Sequence, residues 1–144
     1  MPELSLRFRR LCAVLLTLTL IAVGLIVLTP GAPAEQSQQS LHHFLDQMHA
    51  QGRLPAFMTF ELVEGTANAV MFVPIGFLFA AVWPARRRLW VVGIVCGLSS
   101  AIELAQRWVP NRVSTLHDVL TNTIGGTIGL LLLLVLSRWR RLQP

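Results

Sequence analysis

Eighteen consecutive residues without a charge, 11–28, constrain this chain more than any other feature. Wound as an α-helix at about 1.5 Å per residue, the run reaches ~27 Å, close to the hydrocarbon thickness of a bilayer. Arg7, Arg9 and Arg10 come immediately before it. A basic start, an apolar run and the triplet Ala32-Pro33-Ala34 also resemble a secretory signal with an A-x-A cleavage site. The run exceeds the ~7–15 residues of an ordinary signal core, and a proline interrupts the triplet, so the expectation is a retained first helix.

Three more apolar segments follow, at about 66–83, 89–108 and 119–137. The composition agrees with a membrane protein: 53% of the 144 residues are apolar and 13% charged, where soluble domains sit nearer ~45–50% apolar and ~25% charged. The length predicts a single domain over 1–144. The expected fold class is therefore all-α, a polytopic protein with four transmembrane helices and the lipid bilayer as its main partner.

Arginine placement predicts the orientation. The chain has twelve basic residues, all arginine; nine of them precede the first segment, separate the second from the third, or follow the fourth. In a four-span chain those three sets share one side, and an excess of Arg marks the cytoplasmic side. Both termini are then expected inside, with the 29–65 loop and the 109–118 turn outside. The localisation implied is a membrane crossed several times. The +5 charge does not argue for nucleic acid, since no basic face with interleaved aromatics accompanies it.

Local signals refine the segments. Residues 29–39 are rich in Pro, Gly, Ala, Ser and Gln and predict a loop. Over 40–50, Leu41, Phe44, Leu45 and Met48 recur at helical spacing behind Ser40, which predicts a short amphipathic helix in the first outer loop with Ser40 as N-cap. His42, His43, Asp46, Gln47 and His49 form its solvated side. Gly52 and Pro55 end it. Glu61 and Glu64 lead into the second span, where Asn68 sits one turn inside and Pro74 predicts a kink eased by Gly76. Trp90 and Trp108 bracket the third span as interfacial anchors. Gly93 and Gly97 make a GxxxG, a spacing that admits a close helix neighbour. Cys12 and Cys96 both lie in apolar segments and read as packing residues. No metal-ligand set and no cofactor motif can be read.

The polar residues that lipid would reject converge on one place. Ser99, Glu103 and Gln106 share a face of the third span, and Asp118, Asn122, Gly125 and Gly129 share a face of the fourth. With Asn68 at a similar depth and Arg112 in the turn, the topology gathers Asn68, Glu103, Gln106, Arg112, Asp118 and Asn122 near the outer surface. Ionisable groups in such segments are functional-site candidates. Three readings stay open. The carboxylates and the arginine can form an ion network that only holds helices together. Arg112 can clamp a phosphate or carboxylate while the amides complete a ligand site. Glu103 or Asp118 can serve as a general base, with His117 as proton partner, in an enzyme acting on a lipid-linked substrate.

These residues carry a resemblance. The stretch from Asn68 through Pro74 and Gly76 to Phe77, then Ile102-Glu-Leu-Ala-Gln106, then Arg112, Asp118 and Asn122-Thr-Ile-Gly-Gly126, resembles the VanZ-like membrane protein family over about 60–135. The family often carries further aspartates between its arginine and the last Asp, where this chain has Thr115 and His117. The resemblance implies a small protein of the bacterial cytoplasmic membrane associated with low-level teicoplanin resistance, and no particular mechanism; the polar cluster itself leads to the expectation of an anionic ligand such as an envelope lipid or a cell-wall precursor. The resemblance makes Asn68, Glu103, Gln106, Arg112, Asp118 and Asn122 the positions to watch for binding. Pro74, Gly76, Gly125, Gly126 and Gly129 are its structural motif.

Overall fold

A computed structural model describes residues 5–28, 33–108 and 115–139. Five α-helices account for most of them: α1 (Leu6–Leu28), α2 (Pro33–Ala50), α3 (Phe60–Val82), α4 (Trp90–Gln106) and α5 (Leu116–Trp139). A 3₁₀ turn, Ala85–Arg87, joins α3 to α4. Among the described residues there is no strand. Three helices, α1, α3 and α5, are long and apolar enough to cross a bilayer, while α4 is an apolar helix of 17 residues, about 25 Å. The third span is thus shorter than the expected 89–108, because the chain turns at Arg107 and Trp108.

Helix directions follow from the contacts at the ends. Near the start of α1, Arg9 reaches the Val82 carbonyl at the end of α3, so α1 and α3 are antiparallel. Asn68 near the start of α3 meets Asp118 in the first turn of α5, so these two are parallel. Ser99 and Glu103 in α4 meet Asn122 and Thr115, in reverse order along the chain, so α4 opposes α5. The α3–α5 contact is the most extensive in the fold, followed by α4–α5 and α1–α3.

Glycine explains the α3–α5 contact. A methyl group added at Gly125 would meet the Ala69 carbonyl, at Gly129 the Val73 carbonyl, and at Gly76 the Gly126 carbonyl. The two backbones therefore touch along one seam, the close approach that small residues permit in membranes. On the α4 side, a methyl at Gly126 would lie 2.6 Å from a Val95 methyl. Phe72, Ile75, Val91, Val95 and Leu130 fill the interior, joined by Cys12, Leu16 and Val23 of α1. Large apolar side chains such as Leu11, Leu18, Leu25, Val70, Ile124 and Val135 point outward, as expected where lipid is the solvent.

Several local expectations need correction. The helix expected over 40–50 begins at Pro33, so the loop expected over 29–39 is helical from that point and Ser40 lies inside α2 rather than capping it. Proline at the first helical position costs nothing, since its missing N–H would have no intrahelical partner. Residues 29–32 lie outside the described set. Leu45 is buried, but Phe44, placed in the same apolar stripe by its spacing, is exposed. Gly52 ends α2 as anticipated: at φ 65° it lets its own N–H reach His49 and that of Arg53 reach Met48, a Schellman closure. The second span starts earlier than 66, at Phe60 behind the Thr59 cap, and brings Glu61 and Glu64 into the helix. Pro74 lies inside α3, which runs on to Val82. Among the described residues nothing lies within 4 Å of a methyl built at Gly93 or Gly97, so that GxxxG faces outward and packs none of the described helices.

Candidate functional site

Three helix ends converge on one side of the fold. The start of α3 brings Asn68, the end of α4 brings Glu103 and Gln106, and the start of α5 brings Asp118 and Asn122. Thr115, just before α5, joins them. Its hydroxyl donates to Asp118 Oδ2 at 2.7 Å and accepts from the Asp118 N–H at 3.2 Å. The hydroxyl thus N-caps α5, satisfying a helix-end N–H that has no partner in the helix itself, while the Asp118 carboxylate meets the hydroxyl rather than the Thr115 N–H. The backbone N–H of Thr115 donates to Glu103 Oε2 at 3.0 Å. Asn68 Nδ2 donates to Asp118 Oδ1 at 2.8 Å. Both oxygens of Asp118 are thereby engaged, and one residue at the head of α5 links α4 to α3.

A second polar pair lies deeper. Asn122 Nδ2 donates to Ser99 Oγ at 2.8 Å. Ser99 is wholly buried, Asn122 is 3% exposed and Glu103 7%. Asn122 Oδ1 is buried and has no hydrogen-bond partner among the described residues. An unpaired amide oxygen in this setting costs on the order of 1–3 kcal/mol and gains that back from any donor that reaches it. The site can therefore accept a hydroxyl, ammonium or water proton at depth.

The expected site residues are not all joined. Asn68, Asp118 and Glu103 belong to one network through Thr115, and Asn122 pairs separately with Ser99. Gln106 is half-buried at the end of α4 and makes no side-chain hydrogen bond among the described residues. Arg112 lies outside the described residues. His117, read as a proton partner of the carboxylates, is exposed and makes no hydrogen bond to either one. Its ring covers Gly65 of α3, where a methyl would come within 2.7 Å of Nε2.

Thr115 was missed from the sequence as a site residue. The signal was present: Thr115-Leu-His-Asp118 has the [ST]-x-x-[DE] spacing of a helix start. Arg9 and Arg88, read only as markers of orientation, have structural partners at the other end of the fold. Arg9 donates to the Val82 carbonyl through Nε at 3.2 Å and Nη2 at 2.7 Å, and buried Arg88 donates from Nε to the Ala80 carbonyl at 3.1 Å. Both serve carbonyls at the end of α3 that no helical N–H can reach, on the side where the helix dipole is negative.

Away from the cluster, the histidines of α2 behave as a polar face. His42 Nδ1 lies 3.0 Å from Asp46 and its ring packs 5.1 Å from that of Phe60, while His49 Nε2 lies 3.2 Å from the Pro55 carbonyl.

In comparisons with known proteins, the family model described as VanZ/LLP1 matches residues 14–137. No curated protein and no solved structure matches the chain.

Proposed function

The chain belongs to the VanZ/LLP1 family, and from that premise we propose that it binds an anionic envelope ligand at the α3–α4–α5 cluster and thereby contributes to glycopeptide resistance. The ligand class is an anionic lipid headgroup or a cell-wall precursor. In this reading Arg112 clamps the anion with its guanidinium fork. Asn122 and Gln106 complete the site with neutral hydrogen bonds, and Glu103, Asp118 and Asn68 hold the frame. The cluster faces outward across the bacterial cytoplasmic membrane, with both termini inside, as the arginine distribution favours.

One observation carries most of the weight: Thr115 binds both carboxylates at once, Glu103 through its N–H and Asp118 through its hydroxyl. Arg112 stands three residues before this anchor, so covalent geometry alone keeps the two Cα atoms within about 11 Å. The buried Asn122 oxygen supports the same reading, because a ligand donor would satisfy it.

The engagement of both Asp118 oxygens by Asn68 and Thr115 favours a second reading, an accessory membrane subunit whose network serves only to fix helices. Teicoplanin susceptibility of cells expressing Arg112→Ala separates the two. Loss of protection with unchanged membrane abundance supports ligand binding. Full protection overturns it and leaves the structural reading.

A further inference from the structure

The far end of the fold, where α1 begins, α3 ends and α5 ends, carries a different chemistry. Arg9 and Arg88 turn inward there and bond the Val82 and Ala80 carbonyls, which brings the start of α1 against the α3–α4 connection. Burial, and then the charge of Arg9, lower the pKa of the Arg88 guanidinium from its ordinary value, though an arginine stays cationic at neutral pH. Around these two, Arg7 and Arg10 on α1 and Arg86 and Arg87 on the 3₁₀ turn are exposed. The described carboxylates lie elsewhere: Glu61, Glu64, Glu103 and Asp118 occupy the opposite end, and Asp46 is on α2. Arg7, Arg10, Arg86 and Arg87 thus concentrate positive charge at the surface of this corner. The indole N–H of Trp83, next in the chain to Val82, is buried without a hydrogen-bond partner among the described residues.

We propose that this corner, between the start of α1 and the 3₁₀ turn, is a binding site for the phosphodiester headgroup of an anionic phospholipid. Three physical features argue for that occupant. Guanidinium forks match phosphate oxygens in pairs, which suits arginine far better than lysine, and every basic residue of the chain is arginine. Arginine clusters beside a membrane-crossing helix attract anionic lipids over zwitterionic ones. The neighbouring outer surface of α1 is lined by exposed Leu11, Val14 and Leu18, an apolar wall along which the acyl chains of the same lipid can lie. The site is independent of the ligand proposed at the other end.

The full-length protein, reconstituted in phosphatidylcholine bilayers with spin-labelled phosphatidylglycerol or spin-labelled phosphatidylcholine, tests this directly. The expected result is a preference for the glycerol lipid that falls at least about threefold in Arg86→Gln/Arg87→Gln. Neither Arg86 nor Arg87 makes a side-chain bond among the described residues, so unchanged helical circular dichroism is expected. Arg53→Gln, an exposed arginine on the connection between α2 and α3, should leave the preference intact. Equal labelling of the two lipids, or an equal loss in Arg53→Gln, overturns the proposal. So does displacement of the labelled lipid by millimolar inorganic phosphate, which would identify a soluble phosphate as the occupant.

Discussion

Asn68 and Asp118, fifty residues apart in the chain, are joined by a 2.8 Å hydrogen bond between the N-terminal half of α3 and the first turn of the parallel α5. The bond sets the register of the α3–α5 seam from its polar end, while Gly125 and Gly129 bring the backbones together below it. Polar attraction and steric permission thus act on the same pair of helices, where lipid supplies little hydrophobic drive for association.

A double-mutant cycle on Asn68→Ala and Asp118→Ala measures the first term. The coupling energy from apparent stability in detergent should be about 0.5–2 kcal/mol, the range seen for polar pairs between membrane helices. Asp118→Ala alone should cost more than Asn68→Ala alone, because it also strands the Thr115 hydroxyl. Additive single effects would show that the two residues do not act as a pair.

Glycine substitutions measure the second term. Gly125→Ala and Gly129→Ala force α5 away from α3 and should lower stability by roughly 1–3 kcal/mol, the usual range for overpacking. Gly93→Ala and Gly97→Ala meet nothing and should be neutral, or gain up to about 1 kcal/mol from helix propensity. Thermal melts of the four variants, measured side by side, decide the matter.

The buried Ser99–Asn122 pair should respond asymmetrically. Ser99→Ala removes the partner of the Asn122 amide and should cost about 1–3 kcal/mol, whereas changing both residues to apolar ones of similar size should recover most of that. A double variant less stable than Ser99→Ala would contradict this account.

Arg9→Ala should destabilise the opposite end by about 1–3 kcal/mol through loss of its charged bonds to the Val82 carbonyl. Arg7→Ala, whose side chain is exposed, should change the melting temperature little. Hydrogen exchange at the last turn of α3 gives the local readout, with faster exchange expected only in the Arg9 variant.

Read alone, the sequence determined the number and approximate placement of the apolar segments, the polar residues set among them, and the family they resemble. Those depend on composition and on periodicity along one segment, which hydropathy and helical spacing reveal directly. The glycines were legible as a motif, but their partners were not. Gly125 and Gly129 pack an entire backbone while Gly93 and Gly97 face outward, although both pairs have the same small-residue spacing. Which face of a helix meets another helix depends on all the helices at once, and no local window contains that information. The same holds for Thr115, whose N–H finds a carboxylate twelve residues back, and for Arg9, whose carbonyl partner lies 73 residues away. Only the tertiary structure decided these, because a hydrogen bond across helices requires the donors and acceptors of separate segments to be held at one depth.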